Sequence, residues 1–191
     1  MDLMKVQTND PFKILVGTIL SARTNDVITA RVLEKLFRKV DKAIDFEALS
    51  IEQIEELIYP IGFYRQKAKY LKELPSVLND RFNGKIPNTI EALLQLPGVG
   101  RKTANLVLVL AFDLPGICVD VHVHRISNRL GYVETDTPTK TEIELRKILP
   151  KKHWKTINSA LVAFGQNLCR PINPKCKSCP VSEYCMKKGV R

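Results

Sequence analysis

The stretch LPGVGRKTAN, from Leu96 to Asn105, combines a glycine-rich turn with two cations at the start of a predicted helix. Glycines adopt positive φ and let backbone approach a ligand closely. The amides of such a turn, beside a helix N-terminus, suit an anion such as a DNA phosphate. The positive end of a helix also disfavours a protonated amine, and a neutral lysine amine attacks carbon electrophiles to form Schiff bases. The stretch therefore predicts either a nucleophilic Lys102 or a helical corner where Lys102 binds phosphate or faces solvent.

A carboxylate follows in the apolar segment CVDVHVHR, where Asp120 stands directly before a predicted helix. An acid at this position is either the N-cap of that helix or a group that takes part in proton transfer, and it can be both. His122 and His124 are two residues apart and so face different sides of a helix, which argues against a pair of metal ligands.

Four cysteines near the C-terminus are spaced C-x6-C-x2-C-x5-C; they are Cys169, Cys176, Cys179 and Cys185. Disulfides are rare in cytosolic proteins, and four thiolates so close in sequence are typical of a zinc site or a 4Fe–4S cluster. Structural zinc commonly uses paired C-x2-C motifs, and only one such pair is present. The uneven spacing therefore favours the cluster over zinc. A fifth cysteine, Cys118, is predicted to be a core residue.

The composition favours a polyanionic partner. The 191 residues are 45% hydrophobic and carry a formal net charge of +10, and such a charge favours nucleic acid first and an anionic membrane second. The longest apolar run, 106–112, is too short to cross a bilayer, and the N-terminus lacks the apolar segment of a signal peptide. We expect a cytoplasmic, nucleoid-associated monomer without a membrane partner.

The elements that must position these residues are all predicted to be helical. Asp10 is the expected N-cap of the helix FKILVGTILSA, and Ser50 with Gln53 forms a capping box. The segment YRQKAKYLKELPSVLNDRF predicts one amphipathic helix that contains Pro75 and stops at Gly84. The segment ICVDVHVH has β propensity but no partner strand. The predicted fold class is all-α.

Together, LPGVGRKTAN, VDVHVHRISNR and the cysteine spacing resemble the endonuclease III branch of the helix-hairpin-helix DNA glycosylases. The similarity extends from about Pro11 to Cys185, with DPFKILVGTILSARTND and IGFYRQKA in the order and spacing of that family. It implies a two-lobed helical DNA glycosylase fold. The implied parts are a six-helix lobe at 11–133 with the helix-hairpin-helix motif at about 89–112, and a cluster lobe of 1–10 plus 134–191 with the iron–sulfur loop at 169–185.

The resemblance also implies a function in base excision repair. Duplex DNA with a damaged base or an abasic site would be the partner, oxidised pyrimidines would be removed, and the abasic site would be cleaved by β-elimination. Lys102 would be the nucleophile, Asp120 the assisting carboxylate, and the four cysteines the ligands of a 4Fe–4S cluster. The DNA-binding residues implied by position are Leu96, Gly98, Val99, Gly100, Arg101, Arg170, Lys175, Lys177, Arg23 and Phe63.

Two of these positions depart from the family pattern. Arg23 stands where a glutamine typically fills the gap left by the flipped base, and Phe63 stands at a second wedge position that is often leucine. Arginine offers only hydrogen-bond donors, and guanine presents two acceptors in the major groove. Arg23 is therefore predicted either to meet the opposite base or to contact a phosphate.

Two alternative functions are a mismatch-specific DNA glycosylase and a non-catalytic iron–sulfur DNA-binding module. Adenine glycosylases usually have serine in place of Lys102 and glutamate in place of Thr18, and thymine-mismatch relatives tend to have tyrosine in place of Lys102. Binding alone requires neither Lys102 nor Asp120, which argues against the second alternative.

Overall fold

The structure is a computed structural model, and it describes residues 10–190. Within that range it has no β-strand, so the predicted all-α fold is confirmed. No helix among the described residues is long and apolar enough to cross a membrane. The α-helices of this range are α1 (Pro11–Ser21), α2 (Asp26–Leu36), α3 (Ile51–Ile58), α4 (Tyr64–Phe82), α5 (Ile90–Leu93), α6 (Arg101–Phe112), α7 (Val121–Leu130), α8 (Pro138–Ile148) and α9 (Ile157–Asn167). Short 3-10 helices lie at Ala43–Ala48, Lys151–His153, Cys176–Ser178 and Ser182–Tyr184.

The helix boundaries follow the capping signals of the sequence. Oδ1 of Asp10 accepts a hydrogen bond of 2.9 Å from the amide of Phe12, as predicted. Ser50 and Gln53 form the reciprocal capping box, with bonds of 2.8 and 3.2 Å. α4 runs through Pro75 and ends one residue before Asn83, which adopts the left-handed conformation (φ 51°) ahead of Gly84.

The chain divides by its internal contacts into two compact units, one ending at Leu114 and the other beginning at Pro115. In the first unit α1 lies against α6, and α3 lies against α4. Residues such as Leu15, Leu20 and Leu71 are fully buried there and form the larger core. Both α4 and α6 therefore pack against the core of this unit.

The second unit is built around α7, which packs on α8 and α9. Its core is smaller and is made of Ile117, Val119, Val123, Val133, Leu145 and Trp154. Cys118 is buried, as predicted. The segment before Asp120 forms no strand, and α7 begins at Val121.

The predicted lobe boundary after residue 133 stays a prediction. The contacts divide the chain earlier, after Leu114, and therefore group α7 with the cysteines of the C-terminal segment. Apart from Asp10, the predicted contribution of residues 1–10 to the cluster lobe lies outside the described residues.

Candidate active site and cysteine loop

The hairpin, residues 96–100, joins α5 to α6 and exposes backbone at its glycines. Leu96 and Val99 are buried in the core, and the amide of Val99 donates to the carbonyl of Leu96 at 3.2 Å. Gly98 has φ +74°, and a β-carbon there would lie 2.6 Å from Cδ2 of Tyr70, so this position requires glycine. The amides of Gly98 and Gly100 donate to no acceptor within residues 10–190. The side chains of Leu96 and Val99 therefore shape the hairpin, and the two glycine amides could bind an anion.

Lys102 is the second residue of α6 and is exposed directly after the hairpin. The opposite face of α6 packs in the core, because Ala104 and Val107 are fully buried. Arg101 begins the helix, and its carbonyl accepts a hydrogen bond of 3.0 Å from Nδ2 of Asn105. The first turn of α6 thus carries Lys102 two residues after Gly100.

Asp120 is the N-cap of α7. Its Oδ1 accepts hydrogen bonds from the amides of His122 (2.9 Å) and Val123 (3.0 Å). These two bonds fix the direction of the carboxylate. Lys102 belongs to the first unit and Asp120 to the second, and each stands at the start of a helix.

Arg23 and Phe63, the two predicted wedge residues, contact each other. The Arg23 guanidinium carbon lies 5.3 Å from the centroid of the Phe63 ring, in a cation–π contact. Both residues are exposed, and 62% of Phe63 is accessible to solvent. Both also adopt the left-handed conformation, with φ of 56° and 58°. Large side chains rarely hold this conformation unless the surrounding structure imposes it, and such strain is concentrated at functional sites.

The Arg23 loop, residues 22–25, is held against the segment before α4. The amide of Gly62 donates to Oγ1 of Thr24 at 3.0 Å. A β-carbon at Gly62 would lie only 2.6 Å from the carbonyl oxygen of Arg23. The absence of a side chain at Gly62 therefore allows the two segments to meet.

Lys67 holds the same loop from α4, and sequence reasoning missed it. Its Nζ donates to the carbonyls of Leu20 (2.9 Å) and Ala22 (2.6 Å), and its side chain is buried. Burial lowers the pKa of Lys67 to about 8, while the two carbonyls favour its charged form. The signal in the sequence is a lysine on the apolar stripe of α4, four and seven residues before the buried Leu71 and Leu74.

The four predicted cysteine ligands line one pocket within the cysteine loop, residues 169–185. Most of the other lining side chains are apolar, among them Ile126, Leu130, Phe164 and Leu168, and Arg129, Lys175 and Lys187 also line it. Between residues 10 and 190, no three side chains of His, Cys, Asp or Glu are grouped to hold a single metal ion. Four thiols around one pocket are a donor set that suits tetrahedral zinc or a 4Fe–4S cluster.

Arg129 ties the cysteine loop to α7, and it too was missed from sequence. This buried arginine donates to the carbonyls of Arg170 (2.6 Å) and Pro171 (2.8 Å), and to Sγ of Cys169 at 3.5 Å. Arg125 donates to the carbonyl of Cys169 at 2.9 Å. Like Lys67, Arg129 continues an apolar stripe, after Val123 and Ile126.

Three cationic residues that are predicted to bind DNA lie within the cysteine loop. Arg170, Lys175 and Lys177 are all exposed. Long cationic side chains on a loop surface can contact phosphates without reading sequence.

The chain matches the HhH-GPD superfamily of base excision DNA repair proteins over residues 16–151. It is 45% identical to "Endonuclease III" of Thermotoga maritima, with 92% of this chain and 83% of that protein covered. It is 42% identical to "Endonuclease III homolog 1, chloroplastic" of Arabidopsis thaliana, covering 93% of this chain but only about half (49%) of that longer protein.

Solved structures show the same similarity. A trapped covalent intermediate of endonuclease III with DNA, an estranged-adenine complex, matches with a TM-score of 0.84 and 39% identity over 93% of this chain and 84% of that one. A thermostable thymine-DNA glycosylase matches with a TM-score of 0.82 and 30% identity over 97% of this chain and 87% of that one.

Proposed function

Because the chain belongs to the HhH-GPD superfamily of base excision DNA repair proteins and, within it, to the endonuclease III family, we propose that it is a bifunctional DNA glycosylase and abasic-site lyase. Its substrates are oxidised pyrimidines in duplex DNA and the abasic sites that their removal leaves. The observation that carries the proposal is the exposed Lys102, placed on the first turn of α6 directly after the hairpin amides. Binding DNA without chemistry would not require an amine nucleophile at that place.

In the proposed reaction, the damaged base is flipped out of the stack before chemistry begins. The deprotonated Nζ of Lys102 attacks C1′, the bond from C1′ to the base breaks, and the base leaves with the electron pair and takes up a proton. Asp120 supplies a carboxylate that stabilises the positive charge developing on the sugar or accepts the proton that Lys102 gives up. The sugar ring opens to a Schiff base, whose C2′ proton is then lost, and the 3′ phosphate is expelled by β-elimination. Water finally hydrolyses the Schiff base and releases Lys102.

The DNA contacts are assigned to backbone and side chains in separate parts of the chain. The amides of Gly98 and Gly100 bind a phosphate, with Arg101 beside them. Arg170, Lys175 and Lys177 add phosphate contacts from the cysteine loop. Arg23 and Phe63 fill the gap left by the flipped base. Since DNA is the substrate, the proposed location is the cytoplasm, at the nucleoid.

The mismatch-specific alternative is less well supported. The thymine-DNA glycosylase structure is 30% identical to the chain, against 39% for the endonuclease III complex. Lys102 also replaces the residue that mismatch glycosylases use at that position. Duplexes that carry thymine glycol, an abasic site or a G·T mismatch test the choice. We expect excision of thymine glycol and cleavage at the abasic site. Excision at G·T alone, without strand cleavage, would contradict the proposal.

We further propose that the cysteine loop binds a 4Fe–4S cluster with a structural role. The four thiols that line one apolar pocket fit such a group, and Arg129 donates toward one of the sulfurs. The purified protein is expected to be brown and to contain about four irons per chain. Cys176→Ser is expected to lose iron, fold stability and DNA affinity together, because metal binding and folding are coupled.

Iron and zinc analysis of the purified chain, with thermal unfolding, checks this prediction. Cys118→Ala is the matched control, because Cys118 is buried outside the cysteine loop; it should keep its iron. A colourless, fully active protein with one zinc per chain would contradict the cluster.

Arg23 is predicted to favour guanine opposite the lesion. A good bidentate pair discriminates between bases by about 1–3 kcal/mol, or roughly 5- to 150-fold in rate. Lesion removal should therefore be faster opposite guanine than opposite adenine, and Arg23→Gln should lose this bias, since glutamine offers one donor group and one acceptor.

Single-turnover rates for one lesion opposite each of the four bases measure the bias. Arg31→Gln is the control, because Arg31 is an exposed arginine on α2. Equal rates opposite guanine and adenine, with a shallower salt dependence in Arg23→Gln, would instead assign Arg23 to a phosphate.

A further inference from the structure

We propose that Lys67 is a positioning residue that holds Arg23 in place against Phe63. By doing so it increases the preference of the protein for DNA with a gap in the base stack over undamaged DNA. The inference rests on the proposed function, in which Arg23 enters the stack. It assigns to Lys67 no contact with DNA, since the side chain is only 6% exposed. Lys67 acts through the Arg23 loop.

The ammonium binds the C-terminal end of α1. The last carbonyls of a helix lack partners within the helix and carry partial negative charge. Nζ of Lys67 donates to two of these oxygens, on Leu20 and Ala22, at 2.9 and 2.6 Å. Arg23 follows directly after Ala22, so the bond to Ala22 is one peptide away from the residue that it positions.

Lys67 itself lies on the buried face of α4. Its neighbour Ala68 and the next residue on the stripe, Leu71, are both fully buried in α4. The same helix begins at Tyr64, directly after Phe63. α4 therefore positions both the Phe63 ring, on which the Arg23 guanidinium stacks, and the Lys67 ammonium, which binds the C-terminal end of α1.

Lys67 also explains how Arg23 keeps a strained backbone. A non-glycine residue with φ 56° persists only where its surroundings impose that conformation. One constraint comes from Gly62, which donates to Thr24 and passes close to the Arg23 carbonyl. The second comes from Lys67. Without the ammonium, the buried carbonyl of Leu20 loses its partner and that of Ala22 keeps only a long bond of 3.5 Å from Oγ1 of Thr24, so the loop is free to relax.

The alternative is that Lys67 only stabilises the fold. A fold-stabilising lysine would lower every activity together, and its effect would not depend on Arg23. A positioning lysine would lower selectivity alone, and its effect would vanish once Arg23 is removed. Coupling between the two residues separates the two roles.

The test is equilibrium binding to a duplex with a tetrahydrofuran abasic analogue opposite guanine, compared with the same duplex without damage. The analogue has no C1′ electrophile, so the ratio of the two affinities reports gap filling without chemistry. Lys67→Met is expected to lower this ratio roughly 5- to 100-fold, the range for a lost base contact or a misplaced group. Arg23→Ala should lower it by a similar factor, and the double variant should fall no further.

Lys69→Met is the matched control, because Lys69 is an exposed lysine on the same helix. Borohydride trapping on single-stranded abasic DNA, where no base is left opposite, should be the same in Lys67→Met and in the unmodified chain. If Lys67→Met does not fold, Lys67→Gln replaces it, since glutamine keeps a polar end but is shorter and uncharged; it should lower the ratio in the same way.

Two results would overturn the inference. One is an unchanged affinity ratio in Lys67→Met, or in Lys67→Gln if that variant is used. The other is an equal loss of the ratio in the Arg23→Ala background, which would show that Lys67 does not act through Arg23. If the unmodified chain forms no adduct and does not prefer the abasic duplex, the proposed function fails as well; an unmodified chain that does both leaves that function standing.

Discussion

Lys102→Ala is expected to abolish the covalent adduct that borohydride traps between the protein and abasic DNA. A Schiff base requires a primary amine, and alanine supplies none. Strand cleavage by β-elimination should disappear with the adduct, because the elimination depends on that Schiff base. The measurement is gel electrophoresis of the protein with an abasic duplex in the presence of borohydride.

Lys39→Ala is the control for this substitution. Lys39 is an exposed lysine of the same unit, after α2, so the variant loses the same charge. It should form the adduct at the rate of the unmodified chain. An undiminished adduct in Lys102→Ala would remove Lys102 from the mechanism.

Asp120→Asn is expected to slow base removal by on the order of 10²-fold or more, the usual scale for a lost acid–base group. Asparagine caps helices about as well as aspartate, and its carbonyl can accept from the amides of His122 and Val123 as Oδ1 does now. The substitution therefore removes the charge and keeps the start of α7.

Single-turnover excision of thymine glycol measures the effect, with thermal unfolding as a check on the fold. Asp80→Asn is the control, since Asp80 is an exposed acid on α4. Excision by Asp120→Asn at the full rate would leave Asp120 only its structural role as an N-cap.

The local features of the fold could be predicted from the sequence because each depends on a few neighbouring residues. Asp10 and the pair Ser50 and Gln53 cap their helices as expected. Gly98 has the positive φ (+74°) that a glycine in this turn predicts, whereas its close approach to Tyr70 is a long-range contact. The cysteine spacing predicted a cluster site, which stays a prediction; in the structure the four side chains line one pocket.

The contacts that join distant segments could not be predicted in this way. Lys67 reaches α1 across 45 to 47 residues, and Arg129 reaches the cysteine loop across about 40. Periodicity identifies which residues share a face of a helix, but not which carbonyls lie opposite that face. Both cations stand on apolar stripes, where a buried charge needs a partner, and that conflict was the available signal.

For the residues assigned to gap filling, the sequence likewise predicted the positions but not the contacts. Position in the family pattern identified Arg23 and Phe63 separately. Their stacking and their shared left-handed backbone could not be predicted, because they depend on how the segments around residues 23 and 63 pack in the tertiary structure.

The central claim is that one lysine of this chain becomes covalently bound to the sugar of a damaged nucleotide. Peptide mapping by mass spectrometry of the adduct trapped by borohydride on thymine glycol DNA tests it most directly. The account predicts a single modified peptide, with the reduced sugar on Nζ of Lys102. A sugar on another amine, or base removal without any adduct, would contradict it.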